Sequence, residues 1–423
     1  MRLCCHSVIT RDWQVLRTPY RINRNYPAYD EICNRWGRSF HIFYSALAAF
    51  DISPTSPAFQ GVSFTGSFDG HGHAISNLNI DSPGDFVGLF GYINEDAGEI
   101  QNLSLKNVNV KGRERVGGIA GDSAANIYSC NVEGRVTGID TLGFIAGMNY
   151  GIIISSQVRG DLIGGENVGG ICGENHGLIQ NCHSSGNVTA TQGLCGGIAG
   201  DNTSDIIFSS SNSNLAGRHV GGICGWTGSG YYTYSRIRDC YANCTIAVTD
   251  EDGVAGGVAG YNFESITDCY SASTFVYGTD FTGYIGGFVG MDNSLNPDQT
   301  EKAVYDACFW DYSVAGEHPG VGYSQSGSLI EVDPDGVYPR NTTAMKTMSN
   351  FTSYGWDFVG ETTNGYSDKW TIVENETYPR FVNECINPPA GDVNGDCVHD
   401  MLDFAANASG WLECGLITQD MCP

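Results

Sequence analysis

The sequence predicts an all-β protein, a parallel β-helix (β-solenoid) of about eight glycine-rich rungs, followed by a small C-terminal α-helical module with a calcium loop. Two observations predict the solenoid. A glycine phrase recurs at a nearly fixed spacing, and the segments between the phrases alternate in period two without a 3.6-residue period. An aspartate-rich loop near the C-terminus predicts the calcium module.

The glycine phrase consists of glycine, a bulky apolar residue, a residue that is usually small, and a closing glycine. Successive closing glycines are separated by 25 to 35 residues. A repeat of this length cannot bury its own apolar face, so it must stack on its neighbours. The eight closing glycines are Gly91, Gly121, Gly147, Gly173, Gly200, Gly225, Gly260 and Gly290.

Each repeat carries a second phrase, in which a large apolar residue is followed three positions later by a small one. With the glycine corners, this pattern predicts three short strands per rung. The small residues would form an interior column, so its cysteines are expected to be buried thiols rather than disulfides or nucleophiles. The large residues are Ile127, Ile153, Ile179, Ile206, Ile237, Ile266 and Tyr305, and the small ones are Cys130, Ser156, Cys182, Ser209, Cys240, Cys269 and Cys308.

An asparagine stands two residues after the closing glycine in four repeats, as Asn149, Asn175, Asn202 and Asn262. Stacked at one corner, these amides would hydrogen-bond from rung to rung. They need no function to explain them. His71 and His73, which flank a glycine, are interpreted as part of a tight turn rather than as a metal pair.

The composition limits the class of partner. A net charge of −26 and a pI near 4.4 disfavour nucleic acid and anionic membranes and suit cation binding. No apolar run approaches the length of a membrane span. The first thirty residues lack the basic start and apolar run of an export signal, so either the true start lies upstream or the N-terminus is incomplete.

Shifts in the repeat pattern and in composition divide the chain into five parts. The glycine period breaks after the last phrase, and a proline pair marks a stiff linker before the aspartate-rich loop. The predicted parts are an N-terminal segment and cap at 1–50, the solenoid at 51–312, a closing rung and C-terminal cap at 313–384, the linker at 385–391, and the calcium module at 392–423.

The aspartate-rich loop has the spacing of oxygen ligands found in an EF-hand calcium loop. A cysteine, Cys397, stands where the sharp turn normally has glycine, and a helix is predicted after the loop. Cys397 and Cys414 would staple the loop to that helix. The predicted calcium ligands are the side chains of Asp392, Asn394 and Asp396, the carbonyl of Val398, Asp400 through water, and Asp403, which closes the site.

Residues 18–384 resemble the GLUG-motif family of bacterial surface and secreted proteins. The resemblance rests on the segment 68–73, the Gly-Gly-Ile-Ala-Gly repeats, Cys308–Asp311 and the segment 355–358. It implies a β-solenoid located outside the cell or at its surface.

Residues 392–414 resemble a type I dockerin repeat, in which aspartate at the last loop position is normal. This resemblance implies an extracellular, calcium-stabilised module that docks to a cohesin-like or cell-surface protein. A complete dockerin has two such loops, whereas this chain shows one.

Two functions from different classes remain open. The first is a non-catalytic adhesin or scaffold that binds glycan or protein and is tethered through the calcium module. The second is a polysaccharide-degrading enzyme, which needs a pair of carboxylates, or a basic residue in a lyase. No catalytic residue is assigned, because the candidate acids share no column in the repeats: Asp122, Glu174, Asp201, Glu251, Asp252, Glu264 and Asp292.

Two further enzymatic readings receive less support. Arg236 and Arg238 form the close basic pair of the later rungs, which a solvated face explains equally well. A zinc peptidase is excluded because the sequence contains no His-Glu-x-x-His.

Overall fold

The structure is a computed structural model that describes residues 2–4, 61, 63–95, 98–228, 235–294, 303–324, 334–365 and 368–382. The predicted linker, the calcium module and all six predicted calcium ligands lie outside these residues, and so does nearly all of the segment 1–50. The domain boundaries drawn from the sequence therefore stay predictions.

The predicted parallel β-solenoid is confirmed. Short strands follow one another around nine coils and pair in parallel with the equivalent strands of the coils before and after, which builds four sheets along the rod. The expectation of three strands per rung was wrong. Each glycine phrase contains the end of one strand and the start of the next. The predicted glycine corner therefore contributes residues to two sheets.

We number the sheets in the order in which a coil visits them. Sheet 1 carries the large apolar column of the sequence repeat. Its strands are Arg2–Cys4, Ser67–Asp69, Ile100–Gln101, Ile127–Tyr128, Ile152–Ile154, Leu178–Gln180, Asp205–Ile207, Arg236–Arg238, Ser265–Thr267 and Val304–Asp306.

Sheet 2 has the longest strands. Its strands are Ala74–Ser76, Asn79–Asp81, Ser104–Lys111, Asn131–Thr137, Gln157–Gly164, His183–Ala190, Ser210–Gly217, Tyr241–Ala242, Thr245–Val248, Tyr270–Ser271, Thr274–Val276, Cys308–Asp311 and Val337–Arg340.

Sheets 3 and 4 meet within the glycine phrase. The strands of sheet 3 are Glu114–Gly117, Asp140–Gly143, Val168–Gly169, Leu194–Gly196, His219–Gly221, Val254–Gly256 and Tyr284–Gly286. The strands of sheet 4 are Phe90–Ile93, Ala120–Ser123, Ala146–Asn149, Cys172–Asn175, Ala199–Asn202, Cys224–Thr227, Ala259–Asn262, Val289–Asp292 and Val321–Ser324.

The interior is one continuous apolar cluster that runs the length of the coils. The predicted isoleucine column is confirmed in register, with Ile127 beside Ile153 and Ile153 beside Ile179, each fully buried. The small column is confirmed too. The Cys130 and Cys182 amides donate to the Ser156 and Ser209 hydroxyls at 3.2 Å, so this column satisfies backbone donors at the corner between sheets 1 and 2.

The prediction of buried, reduced cysteines is confirmed for the described residues. The nine cysteines whose side chains the structure describes are free and buried: Cys130, Cys172, Cys182, Cys195, Cys224, Cys240, Cys244, Cys269 and Cys308. Burial raises the pKa of the Cys182 thiol to about 12, which keeps it un-ionised at neutral pH.

The asparagine ladder is confirmed for Asn149, Asn175 and Asn202, whereas the Asn262 amide donates to the Glu264 carbonyl oxygen of its own coil at 3.2 Å. The Asn149 side-chain amide donates to the Asn175 Oδ1 atom at 2.8 Å, and the Asn175 amide donates to the Asn202 Oδ1 atom at 2.7 Å. Asn202 continues the ladder to the Thr227 hydroxyl at 3.3 Å. All four side chains are fully buried, so the ladder links four coils through the interior.

A C-terminal unit covers the outer face of sheet 2 over the last coils. Tyr241 and Tyr270 stack there with ring centroids 5.1 Å apart, and Trp356 and Trp370 pack against them in a second apolar cluster. The Tyr270 hydroxyl donates to a carbonyl of this unit at 2.6 Å. The unit contains the antiparallel strands Trp370–Thr371 and Arg380–Phe381, and the helices of this end of the chain are Tyr312–Ala315, Thr342–Met345 and Ser349–Thr352.

Within the described residues, no helix has both the length and the apolar character needed to cross a membrane.

Candidate functional site

Sheets 3 and 4 approach each other so closely that only glycine fits between them. A Cβ atom on Gly173 would lie 2.5 Å from the Leu142 nitrogen and 2.7 Å from the Thr141 carbonyl carbon. The closing glycines of the repeat are required for this contact. At this contact, residues at the start of each sheet 3 strand lie beside the sheet 4 residue that follows the closing glycine.

Three acids occupy that position after the closing glycine, namely Asp122, Glu174 and Asp201, which we call the carboxylate cluster. In register, Asp122 and Glu174 both flank Met148 in sheet 4, and Glu174 pairs directly with Asp201. The expectation that the acids share no column was therefore wrong for these three. The three acids share a position directly after the closing glycine and one residue before the asparagine column.

Glu174 is held in place from two sides. The Thr141 hydroxyl and the Asn167 amide donate to its Oε1 atom at 3.1 and 2.7 Å, and the His176 Nε2 atom lies 3.5 Å from Oε2. Burial opposes ionisation, but the hydrogen bonds from His176, Asn167 and Thr141 outweigh it and lower the pKa of Glu174. Glu174 is thus an ionised carboxylate with one-fifth of its side chain exposed.

Asp122 is the most enclosed member of the cluster, with 3% of its surface exposed. Its Oδ2 atom accepts from the Arg115 guanidinium at 2.9 Å, and its buried Oδ1 atom has no hydrogen-bond partner among the described residues. Burial raises the pKa of Asp122 to about 7, opposed by the charge and hydrogen bond of Arg115 and assisted by the charge of Glu174. Asp122 therefore changes charge near neutral pH.

Asp201 differs from Glu174 although the two are neighbours. Its buried Oδ1 atom also lacks a hydrogen-bond partner in the described part of the chain. Burial, together with the charge of Glu174, raises the pKa of Asp201 to about 6. Two adjacent carboxyl groups thus have pKa values displaced in opposite directions, the pattern that separates a general acid from an ionised carboxylate.

An aromatic row begins in the next coil. Trp226 pairs in register with Asp201, and Tyr261 pairs with Trp226. The Trp226 ring lies 4.9 Å from the Tyr261 ring and 4.8 Å from the Phe263 ring, and all three side chains are half-buried. We call Trp226, Tyr261 and Phe263 the aromatic row. His219 of sheet 3 packs edge-on against Tyr261 at 5.2 Å.

A second aromatic contact lies in the coil between Asp122 and Glu174. Tyr150 stacks on the His176 ring at 5.0 Å and is 49% exposed. The His176 Nδ1 atom lies 2.8 Å from the Thr203 hydroxyl, which fixes the ring beside Glu174. Within the cluster, Glu174 and Asp201 therefore have aromatic side chains in the coil before them and in the coil after them.

Sequence reasoning missed the aromatic row, Arg115 and His176 as site residues. A signal was present, because the residue directly after each closing glycine runs Tyr92, Asp122, Met148, Glu174, Asp201, Trp226, Tyr261 and Met291.

The other residues considered from the sequence have local partners. Arg236 makes two hydrogen bonds to Asp205, at 3.1 and 2.5 Å, so the basic pair of the later rungs is engaged in a surface ion pair. Asp292 lies in the interior column and accepts from the Tyr305 hydroxyl at 2.6 Å. His71 has a φ of 51°, which confirms the tight turn. Among the described residues, no group of three or more His, Cys, Asp or Glu is arranged to hold a metal ion.

Residues 164–189 match the family model described as the GLUG motif. The matched segment begins at the end of strand Gln157–Gly164 and ends within strand His183–Ala190, so it spans one complete coil. Because the other coils repeat its strands in register, the motif corresponds to the structural unit of the solenoid. These findings support repeats of the GLUG type.

Two known proteins are similar to parts of this chain. Halomucin from Haloquadratum walsbyi is 46% identical over 144 residues, which are 33% of this chain and 2% of halomucin. The chain therefore corresponds to a small fraction of that relative. A crystal structure from Bacteroides ovatus, described as a "putative immunoglobulin A1 protease", aligns with a TM-score of 0.40 and 19% identity, covering 79% of this chain and 84% of the other.

Proposed function

We propose that this protein is an extracellular or cell-surface β-solenoid that binds a polysaccharide along sheets 3 and 4, as an adhesin or scaffold. The observation that carries the proposal is the aromatic row. Its rings occupy two successive coils, Trp226 in one and Tyr261 and Phe263 in the next, and each ring is only half-buried. The row therefore offers a sequence of flat apolar surfaces along the rod.

Sugars combine a C–H face with a rim of hydroxyl groups. A site for them pairs aromatic faces with a few fixed hydrogen-bonding groups, which is the composition of this surface. In the two coils before Trp226, the same position carries the carboxyl groups of Glu174 and Asp201. With a net charge of −26, the protein would repel sulfated or uronic polymers, so a neutral polysaccharide is the expected ligand.

The location and tether are part of the same proposal. The GLUG-type repeats and the similarity to halomucin support a place outside the cell or at its surface. The tail would bind calcium through Asp392, Asn394, Asp396, Val398, Asp400 and Asp403 and attach the protein to a cohesin-like or other surface protein.

The binding proposal is tested by affinity electrophoresis of the full chain in gels containing neutral polysaccharides such as xylan, mannan or soluble glucans. Wild-type protein should be retarded by one of them. Replacing Trp226 or Tyr261 by Ala removes one ring's contact area, worth about 1.5–3 kcal/mol, so the Kd should rise about tenfold or more.

The matched control is Tyr277→Ala, which removes a 45% exposed tyrosine outside the aromatic row. It should bind like the wild type. Equal loss of binding in the control, or unchanged binding in both row variants, would contradict the proposal. Circular dichroism of each variant checks that the solenoid is intact.

A further inference from the structure

The carboxylate cluster lies where a polysaccharide bound along the aromatic row would pass. Trp226 is the register neighbour of Asp201, so a sugar on the Trp226 ring would place its neighbour over coils that carry Asp201 and Glu174. Tyr150, beyond Glu174, would contact the polymer on the far side. Glu174 and Asp201 would thus have binding surface on both sides, as in a site that acts within a chain.

The geometry points to a glycoside-hydrolase centre in which Glu174 is the nucleophile and Asp201 is the general acid and base. Its substrate is the neutral polysaccharide of the proposed function, so this inference rests on that function. Neighbouring coils are spaced by about 4.8 Å. A retaining glycosidase places its two carboxyl groups about 5–5.5 Å apart, which is close to the spacing of neighbouring coils.

The two carboxyl groups are prepared differently for these roles. Glu174 is fixed by Thr141 and Asn167 through one oxygen, and its pKa is lowered, so it is ionised before reaction. Asp201 has an oxygen without a hydrogen-bond partner in the described chain, and its pKa is raised to about 6, so it carries a proton in weakly acidic solution.

Asp122 lies in the same column, two coils before Glu174. It is 3% exposed, and the charges of Glu174 and His176 act on it, yet its Oδ1 atom lacks a partner among the described residues. An enclosed carboxyl oxygen left unpaired is costly and is retained where a site requires it. Asp122 is too enclosed to touch substrate, so we assign it the role of a positioning residue that holds Arg115.

The reaction balances with water alone. A Glu174 oxygen forms a bond to the anomeric carbon while the glycosidic C–O bond breaks, and Asp201 gives its proton to the departing oxygen. The Asp201 carboxylate then takes a proton from water as the water oxygen attacks the anomeric carbon. The bond to Glu174 breaks, both side chains return to their starting states, and the configuration of the sugar is retained.

The test measures new reducing ends and oligosaccharides released from the polymer that retards the wild-type protein. Glu174→Gln and Asp201→Asn should lower the rate by about 10²–10⁴-fold while leaving retardation in the gel. Asp205→Asn, which alters the acid paired with Arg236 in sheet 1, should retain the wild-type rate.

Two readouts separate catalysis from a structural role. Glu174→Ala with sodium azide should form a glycosyl azide, because azide replaces the missing nucleophile. The wild-type kcat/KM should fall as the pH rises through about 6, where Asp201 loses its proton. With an aryl glycoside as substrate, whose leaving group needs no acid, the Asp201→Asn variant should show no such fall.

The outcomes distinguish the two claims. A polymer that is bound by the wild type but releases no products overturns the hydrolytic assignment and leaves the binding function intact. Cleavage unaffected by Trp226→Ala overturns the aromatic row as the binding surface. A protein that neither binds nor cleaves any of the polymers overturns both.

Discussion

Asn175 occupies the centre of the buried ladder, where it donates to one neighbour and accepts from the other. A solenoid needs such side chains because its corners expose polar groups to an otherwise apolar interior. When such a side chain has a hydrogen-bond partner in both neighbouring coils, it fixes each coil on the next. With a partner in only one of them, it would destabilise the stacked coils.

Asn175→Ala should therefore destabilise the protein strongly. It leaves the Asn149 amide and the Asn202 carbonyl oxygen buried without their ladder contacts, at a cost of about 1–3 kcal/mol each. Differential scanning calorimetry should show a lower Tm. The matched control is Asn187→Ala, which breaks a similar ladder on the exposed face of sheet 2, with contacts of 2.8 and 3.0 Å, and should change Tm little.

Asp122 makes the stability of the fold depend on pH. Its pKa is raised by burial from 3.8 to about 7, so between these values the folded protein holds a proton that the unfolded chain has released. Stability from this group is therefore highest at low pH and falls as the pH rises toward 7, by up to about 4 kcal/mol.

Asp122→Asn should remove this dependence. The Tm of the variant relative to wild type should increase between pH 4.5 and pH 8, as followed by thermal melts in a pH series. Asp252→Asn is the control, because the hydrogen bond from Arg218 lowers the pKa of Asp252 and its titration lies below this range. A relative Tm of Asp122→Asn that is flat across the series would contradict the assignment.

At the scale of the element, the contact between sheets 3 and 4 determines the site. Gly173 lies against the backbone at Thr141 and Asn167, the two residues that hold Glu174. The spacing of these strands and the position of Glu174 are therefore linked. A larger residue at this glycine must move one strand away from the other.

Gly173→Ala should lower both the Tm and the affinity for polysaccharide. The added Cβ atom would lie 2.5 Å from a backbone nitrogen that cannot move alone, and overpacking of this kind costs about 1–3 kcal/mol. Gly278→Ala is the matched control, since nothing lies within 4 Å of its Cβ position, and it should behave as wild type in calorimetry and affinity electrophoresis. Equal effects of the two would contradict this reading of the corner.

At the scale of the whole molecule, the rod presents its site along sheets 3 and 4 while the C-terminal unit covers sheet 2. On the covered face, Tyr241 and Tyr270 are buried against Trp356 and Trp370. In the last coils, sheet 2 is therefore closed to a ligand. A polymer bound along the aromatic row would follow the rod axis and cross several coils.

The tail should bind calcium independently of the coils. Isothermal titration of the full chain with calcium should show a site that is lost in the double variant Asp392→Ala, Asp396→Ala, because each supplies a carboxylate ligand of the predicted loop. Glu361→Ala, which alters a half-buried acid of the C-terminal unit, serves as the control and should keep the site. Calcium binding that survives the double variant would contradict the predicted ligand set.

The sequence by itself determined the solenoid, its isoleucine and asparagine columns and the burial of its thiols. These follow from the repeat period, because stacking equivalent residues of consecutive coils requires only that each coil close on itself. Only the tertiary structure decided that each coil has four strands and that Glu174, Thr141 and Asn167 meet. Their contact depends on how closely two sheets approach across a glycine corner, a distance that no residue pattern along one strand encodes.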